Sequence, residues 1–100
     1  MRAIRLHPPG GIEGLRLDEV ALPQPRPGQV LVRVHAAAIT RAELEWPTDR
    51  LPAIPSYELS GVVVKDSDGF SAGEDVFALT PFDRDGVAAD YALVPVEVLA

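Results

Sequence analysis

The clearest pattern in the chain is the alternation over Gln29 to Ala36. Val30, Val32 and Val34 fall on one face, and Leu31, Arg33 and His35 on the other. This predicts a β-strand with one face toward a core. Weaker strand patterns occur at Arg2 to Leu6, Leu15 to Val20, Leu59 to Lys65, Val76 to Leu79 and Ala89 to Val94. Leu15, Leu17 and Glu19 share a face of the second, and Val62-Val63-Val64 makes the third a near-continuous apolar run. Turn chemistry separates the strands: Pro8-Pro9-Gly10-Gly11, Pro27-Gly28 as a type II turn, Asp66-Ser67-Asp68-Gly69 as a hairpin turn, and the polar loop Asp83 to Gly86. Pro23, Pro25 and Pro27 recur at every second position and predict an extended connector. One helix signal stands out, from Thr40 to Trp46. Thr40 is an N-cap residue, Glu43 follows at capping-box spacing, and Pro47 is a stop. Six or seven short strands with one short helix predict an all-β, mainly β fold, most simply a barrel.

Composition narrows the function classes. The 100 residues make one domain, and a 47% hydrophobic content supports a packed core. No apolar run approaches the ~20 residues needed to span a bilayer. The opening Met-Arg-Ala-Ile-Arg-Leu-His has no apolar signal-peptide region, so a soluble, cytoplasmic protein is expected. Cysteine is absent, which removes disulfides and thiolate metal ligands. The net charge is −6 and the basic residues are scattered singly. Neither nucleic acid nor an anionic membrane is therefore an expected partner.

Three features of the sequence bear on chemistry. Gly69-Phe70-Ser71-Ala72-Gly73 fits the G-x-S-x-G nucleophile elbow. The elbow needs a strand before it and a helix after it. Here a turn precedes and a strand pattern follows, and no histidine lies downstream. A hairpin loop is the better reading. His7 and His35 each stand alone in strand patterns and read as surface or packing residues rather than metal ligands. No G-x-G-x-x-G or G-x-x-x-x-G-K occurs, so no loop for a dinucleotide phosphate is evident.

The order of landmarks resembles the N-terminal domain of the medium-chain dehydrogenase/reductase family, in its zinc-independent, quinone-oxidoreductase-like branch. The resemblance runs from the Met1 to His7 strand through Pro27-Gly28-Gln29-Val30 and Ile54-Pro55-Ser56-Tyr57-Glu58-Leu59-Ser60-Gly61. It continues through Ala72-Gly73-Glu74-Asp75-Val76-Phe77 to Gly86-Val87-Ala88-Ala89-Asp90-Tyr91 and Val94-Pro95. It implies a GroES-like barrel, partly open, over residues 1–100 that packs against a Rossmann domain absent from this chain. Two further departures from the family are Ser56, where a glycine is usual, and a short Lys65 to Gly73 turn.

The resemblance also assigns a cleft. The positions of the zinc-ligating cysteine and histidine hold Thr40 and Tyr57, so no metal is expected. The implied activity is NAD(P)H-dependent reduction of an activated alkene, quinone or carbonyl, with NADP or NAD bound mainly by the Rossmann domain and a small molecule as substrate. Thr40 and Tyr57 are the candidate catalytic residues, and Thr40 also the candidate cofactor contact. Glu43, Trp46 and Glu58 are the candidate substrate-binding residues. Each has a structural alternative: helix N-cap for Thr40, aromatic plug for Tyr57, capping box for Glu43, apolar lid contact for Trp46, and a buried hydrogen bond at the cleft floor for Glu58. The surface facing the Rossmann domain is expected to be apolar, with Thr40, Tyr57 and Glu58 at its border. A second reading of function is a non-catalytic barrel acting as an interaction module, because fold alone does not fix function.

Overall fold

The computed structural model describes residues 1–45 and 50–100. Six strands are present among them: β1 (Arg2–Leu6), β2 (Leu15–Glu19), β3 (Gln29–Ala38), β4 (Glu58–Val63), β5 (Asp75–Leu79) and β6 (Tyr91–Pro95). β1 and β2 form an antiparallel pair. The others form an antiparallel sheet in the order β5-β4-β3-β6. β1 also bridges to two connecting segments, at Ala89 before β6 and at Ala53 before β4, and the ladders among the described residues do not close. The fold is the expected mainly β, partly open barrel.

Central β3 owes its place to its valines. Val30 and Val32 are fully enclosed and pack with Val63, Val76, Val87 and Val94 into the main core. Burying one such side chain contributes about 1.5–3 kcal/mol. The pairing register shifts between Val34 and Ala36, where a β-bulge interrupts the β3–β4 ladder. Beyond the bulge Ala37 packs against the core and Ala38 turns outward. The bulge thus carries β3 two residues past its sequence pattern.

Both expected turns form. Gly28 has φ 83° and the Gln29 amide donates to the Arg26 carbonyl at 3.0 Å, as a type II turn over Pro27-Gly28 requires. Asp68 and Gly69 have φ of 48° and 89°, between Ser67 and Phe70 whose backbones exchange both hydrogen bonds. That is a type I′ hairpin turn. It places the G-x-S-x-G segment in the β4–β5 connection, with Ser71 exposed and a strand following, so no nucleophile elbow forms.

The expected short helix forms as a 3-10 turn, Ala42–Glu45, among the described residues. Leu17 is 65% exposed on the outer side of the β1–β2 pair.

That pair is held by a charge cluster. The Asp18 carboxylate accepts from Arg5 Nε at 2.8 Å and lies 2.6 Å from His7 Nε2. These two hydrogen bonds, that of His7 first, hold Asp18 below its ordinary range. Asp90 is lowered mainly by the Arg2 backbone amide. A depressed carboxylate contributes stability that is present above its unfolded pKa and lost as pH falls through the folded one. Stability should therefore hold steady above about pH 5 and decline below about pH 4, toward the lowered folded values. Urea unfolding across this range should show the decline. Asp18→Asn should flatten it, and an unchanged acid limb in that variant would remove Asp18 from the account.

Candidate functional site

The bulged end of β3, the 3-10 turn, the approach to β4 and the end of β5 converge on one cleft. Ala38, Thr40, Glu43, Tyr57, Glu58, Leu79 and Phe82 line it, and its volume is about 140 Å³. Two larger depressions exist. One of about 460 Å³ lies beside Gly10, Gly11 and Arg41, and one of about 410 Å³ lies between Val20, Ile54 and Leu93. The small cleft is the candidate site, because it brings together four of the five side chains singled out from sequence. The fifth, Trp46, lies outside the described residues.

The cleft is organised by a carboxylate. Glu43 is buried at 8% exposure. Its Oε2 accepts from the Thr40 amide at 3.0 Å and from the Thr40 hydroxyl at 2.8 Å, and its Oε1 accepts a short hydrogen bond from the Ser56 amide. A buried charge needs such donors. The capping box is therefore half formed. Glu43 reaches back to Thr40 as the spacing implies. The Thr40 hydroxyl, however, donates to Glu43 rather than capping an amide.

Ser56 explains the departure from glycine. Its φ is 76°, in the left-handed region that glycine enters freely, and it is completely buried. Its hydroxyl donates to the Ala38 carbonyl at 2.7 Å and lies 3.3 Å from the Glu58 carbonyl. These bonds and the Glu43 contact offset the backbone cost, about 1–3 kcal/mol. The sequence carries the signal for this role, a small hydrogen-bonding residue where the family resemblance has glycine.

Tyr57 is half-buried, with its ring edge-on to Phe82 at 5.1 Å between centroids and 70° between planes. Its carbonyl accepts from the amide of buried Thr80 at 2.7 Å, which fixes the backbone behind the ring. Phe82 and Leu79, neither flagged from sequence, form the apolar rim at 55% and 59% exposure. Glu58 corrects an expectation: it is exposed rather than buried. β4 buries Leu59, Gly61 and Val63, so the two-residue period turns Glu58 and Ser60 outward. Glu58 sits at the mouth of the cleft, and Ser56 makes the buried hydrogen bond expected of it.

Among the described residues the cleft offers zinc few uncommitted donors. Among the described residues no three His, Cys, Asp or Glu side chains gather in a metal-binding group. Within the cleft, Glu43 is committed to three donors. His7 bonds Asp18 on the β1–β2 pair, and His35 is exposed on β3. Metal analysis of protein purified without a histidine tag should find well under one equivalent of zinc. One tightly held equivalent would overturn this assignment.

Known proteins give the cleft its context. A family model described as the alcohol dehydrogenase GroES-like domain matches residues 26–100. A zinc-type alcohol dehydrogenase-like protein of Schizosaccharomyces pombe is 30% identical over 95% of this chain and 32% of its own length. The quinone oxidoreductase of Rattus norvegicus is 35% identical over 93% of this chain and 31% of its own. The crystal structure of an alcohol dehydrogenase superfamily protein from Novosphingobium aromaticivorans superposes with a TM-score of 0.85 at 32% identity, over all of this chain and 33% of that one. The chain thus spans about a third of the length of these proteins.

Proposed function

The chain belongs to the alcohol dehydrogenase GroES-like domain family, and on that premise we propose that it is the substrate-side domain of a zinc-independent, NAD(P)H-dependent oxidoreductase acting on an activated alkene, quinone or carbonyl. The observation that carries this reading is the cleft itself. It brings Thr40, Tyr57 and an apolar rim together around a carboxylate already satisfied by protein donors. A bound nicotinamide cofactor would supply the hydride. Tyr57 would donate to the substrate oxygen as it gains negative charge, and the exposed rim of Leu79 and Phe82 would exclude water from a conjugated substrate. Thr40 would contact the nicotinamide end of the cofactor.

The rest of a dinucleotide does not fit here. The helical elements among the described residues are 3-10 turns of three or four residues, and none follows a strand through a glycine-rich phosphate loop. A companion nucleotide-binding domain is therefore part of the proposal. Exposed Phe77, Leu79 and Phe82 beside the cleft suit a covered surface of that kind.

Calorimetric titration of the 100-residue chain with NADPH should show no saturable binding at micromolar concentration. Joining the chain to a nucleotide-binding domain encoded with it should give reductase activity that survives chelator. Micromolar NADPH binding by the chain alone would mean the cofactor site is misplaced. Activity that follows added zinc would overturn the metal-free reading.

A further inference from the structure

The carboxylate of Glu43 decides which way the Thr40 hydroxyl points, and this has a chemical consequence. A threonine hydroxyl has one proton to donate and two lone pairs to accept with. In this cleft the proton is directed to Glu43 Oε2 at 2.8 Å, and the same oxygen holds the Thr40 amide at 3.0 Å. Thr40 is exposed on its remaining side and lines the cleft. What it presents there is a lone pair. A carbonyl or quinone oxygen, which can only accept, finds no partner in it. An O–H or N–H finds a good one.

We propose that Glu43 is a positioning residue that fixes Thr40 as a hydrogen-bond acceptor for a hydroxyl or amide donor of the bound ligand, leaving Tyr57 as the hydroxyl that serves the substrate oxygen. This rests on the reading of the cleft as a cofactor- and substrate-facing site. The donor chemistry it selects is that of a ribose hydroxyl or a carboxamide N–H, both carried by the nicotinamide end of the cofactor. The other carboxylate oxygen extends the same control across the cleft. Oε1 holds the Ser56 amide, one residue before Tyr57, so a single side chain from the 3-10 turn sets the spacing of Thr40 and Tyr57. Glu43 is buried, and among the described residues its carboxylate bonds Thr40 and Ser56, so its effect on a ligand is carried through them.

The test uses two probes, nicotinamide riboside and 1-methylnicotinamide, added at millimolar concentration to isotope-labelled chain and followed by NMR. They share the carboxamide, and only the first has ribose hydroxyls. In the wild type, Thr40 and Tyr57 resonances should move with the riboside. In Glu43→Gln one carboxylate oxygen becomes an NH₂ group and can no longer accept, so the Ser56 or the Thr40 amide resonance should lose its downfield position. The Thr40 response to riboside should be lost where the Thr40 amide is the one that moves and kept where the Ser56 amide is, and Glu43→Asp should restore part of what is lost. Thr40→Val, which leaves Glu43 and Ser56 in place, should lose the response to riboside while keeping the Ser56 signal, and serves if Glu43→Gln does not fold. A Thr40 response of wild-type size in Glu43→Gln although the Thr40 amide has moved, or a response lost although it has not, would overturn the positioning role and leave the cleft reading intact. A response to the riboside confined to residues away from Thr40 and Tyr57, or none from either probe, would remove the cleft as a cofactor site and the inference with it.

Discussion

Gly86→Ala should destabilise the domain by at least about 3 kcal/mol, the upper range for adding one carbon to packed structure. For a chain of this length that is a fall in melting temperature of more than about 10 °C. A β-carbon at Gly86 would fall onto the Ser56 carbonyl oxygen and within 2.5 Å of that of Pro55. Both are backbone atoms and cannot rotate away. The segment is also laced in place: the amides of Gly86, Val87 and Ala88 donate to the carbonyls of Ile54, Ser56 and Pro55 at 2.7, 2.8 and 3.1 Å. Gly69→Ala is the control. Its β-carbon would meet nothing within 4 Å, and only its φ of 89° opposes it, at a cost of about 1–2 kcal/mol. Urea unfolding of the two variants separates contact from conformation. Equal midpoints would mean that the Ser56–Gly86 approach is looser than described.

Tyr57→Phe should lower kcat about 100-fold in the protein carrying its nucleotide-binding domain, the usual loss when one donor to a developing oxyanion is removed. The substitution keeps the ring, so the edge-on contact with Phe82 and the fold should persist. It therefore separates the two roles open to Tyr57. An aromatic plug loses nothing when its hydroxyl is removed, and a donor loses its function. Unchanged kcat with unchanged stability would assign Tyr57 to packing.

The fold was legible where a residue's role is local. Val30, Val32 and Val34 mark β3 by period alone, and Asp68-Gly69 and Pro27-Gly28 announce their turns because the backbone there needs φ that few residues adopt. The site was legible in its membership and much less so in its roles. Glu43 was read against Thr40, three residues away, and that contact forms. Its other half, to Ser56, spans 13 residues and depends on how β4 docks against β3. No spacing rule encodes such a pairing. Glu58 was misplaced for a similar reason. The apolar run Val62-Val63-Val64 hides the period of β4, and only its register, with Glu58 between Ala38 and Leu79, shows which residues face out.

The bulge in β3 has a consequence for insertions and deletions. Removing one residue from a regular strand moves every later side chain to the opposite face. At His35 the strand already carries one residue more than its neighbour, since Val34 pairs with Gly61 and Ala36 with Ser60. Loss of the His35 codon would leave Val34 and Ala37 facing the core and Ala38 facing the cleft, with the pairing on both sides unshifted. β3 thus has a spare position in its reading frame, five residues before Thr40. A lineage could drop or regain it without rewriting the strand, and the change would be felt mainly as an altered twist where the cleft begins.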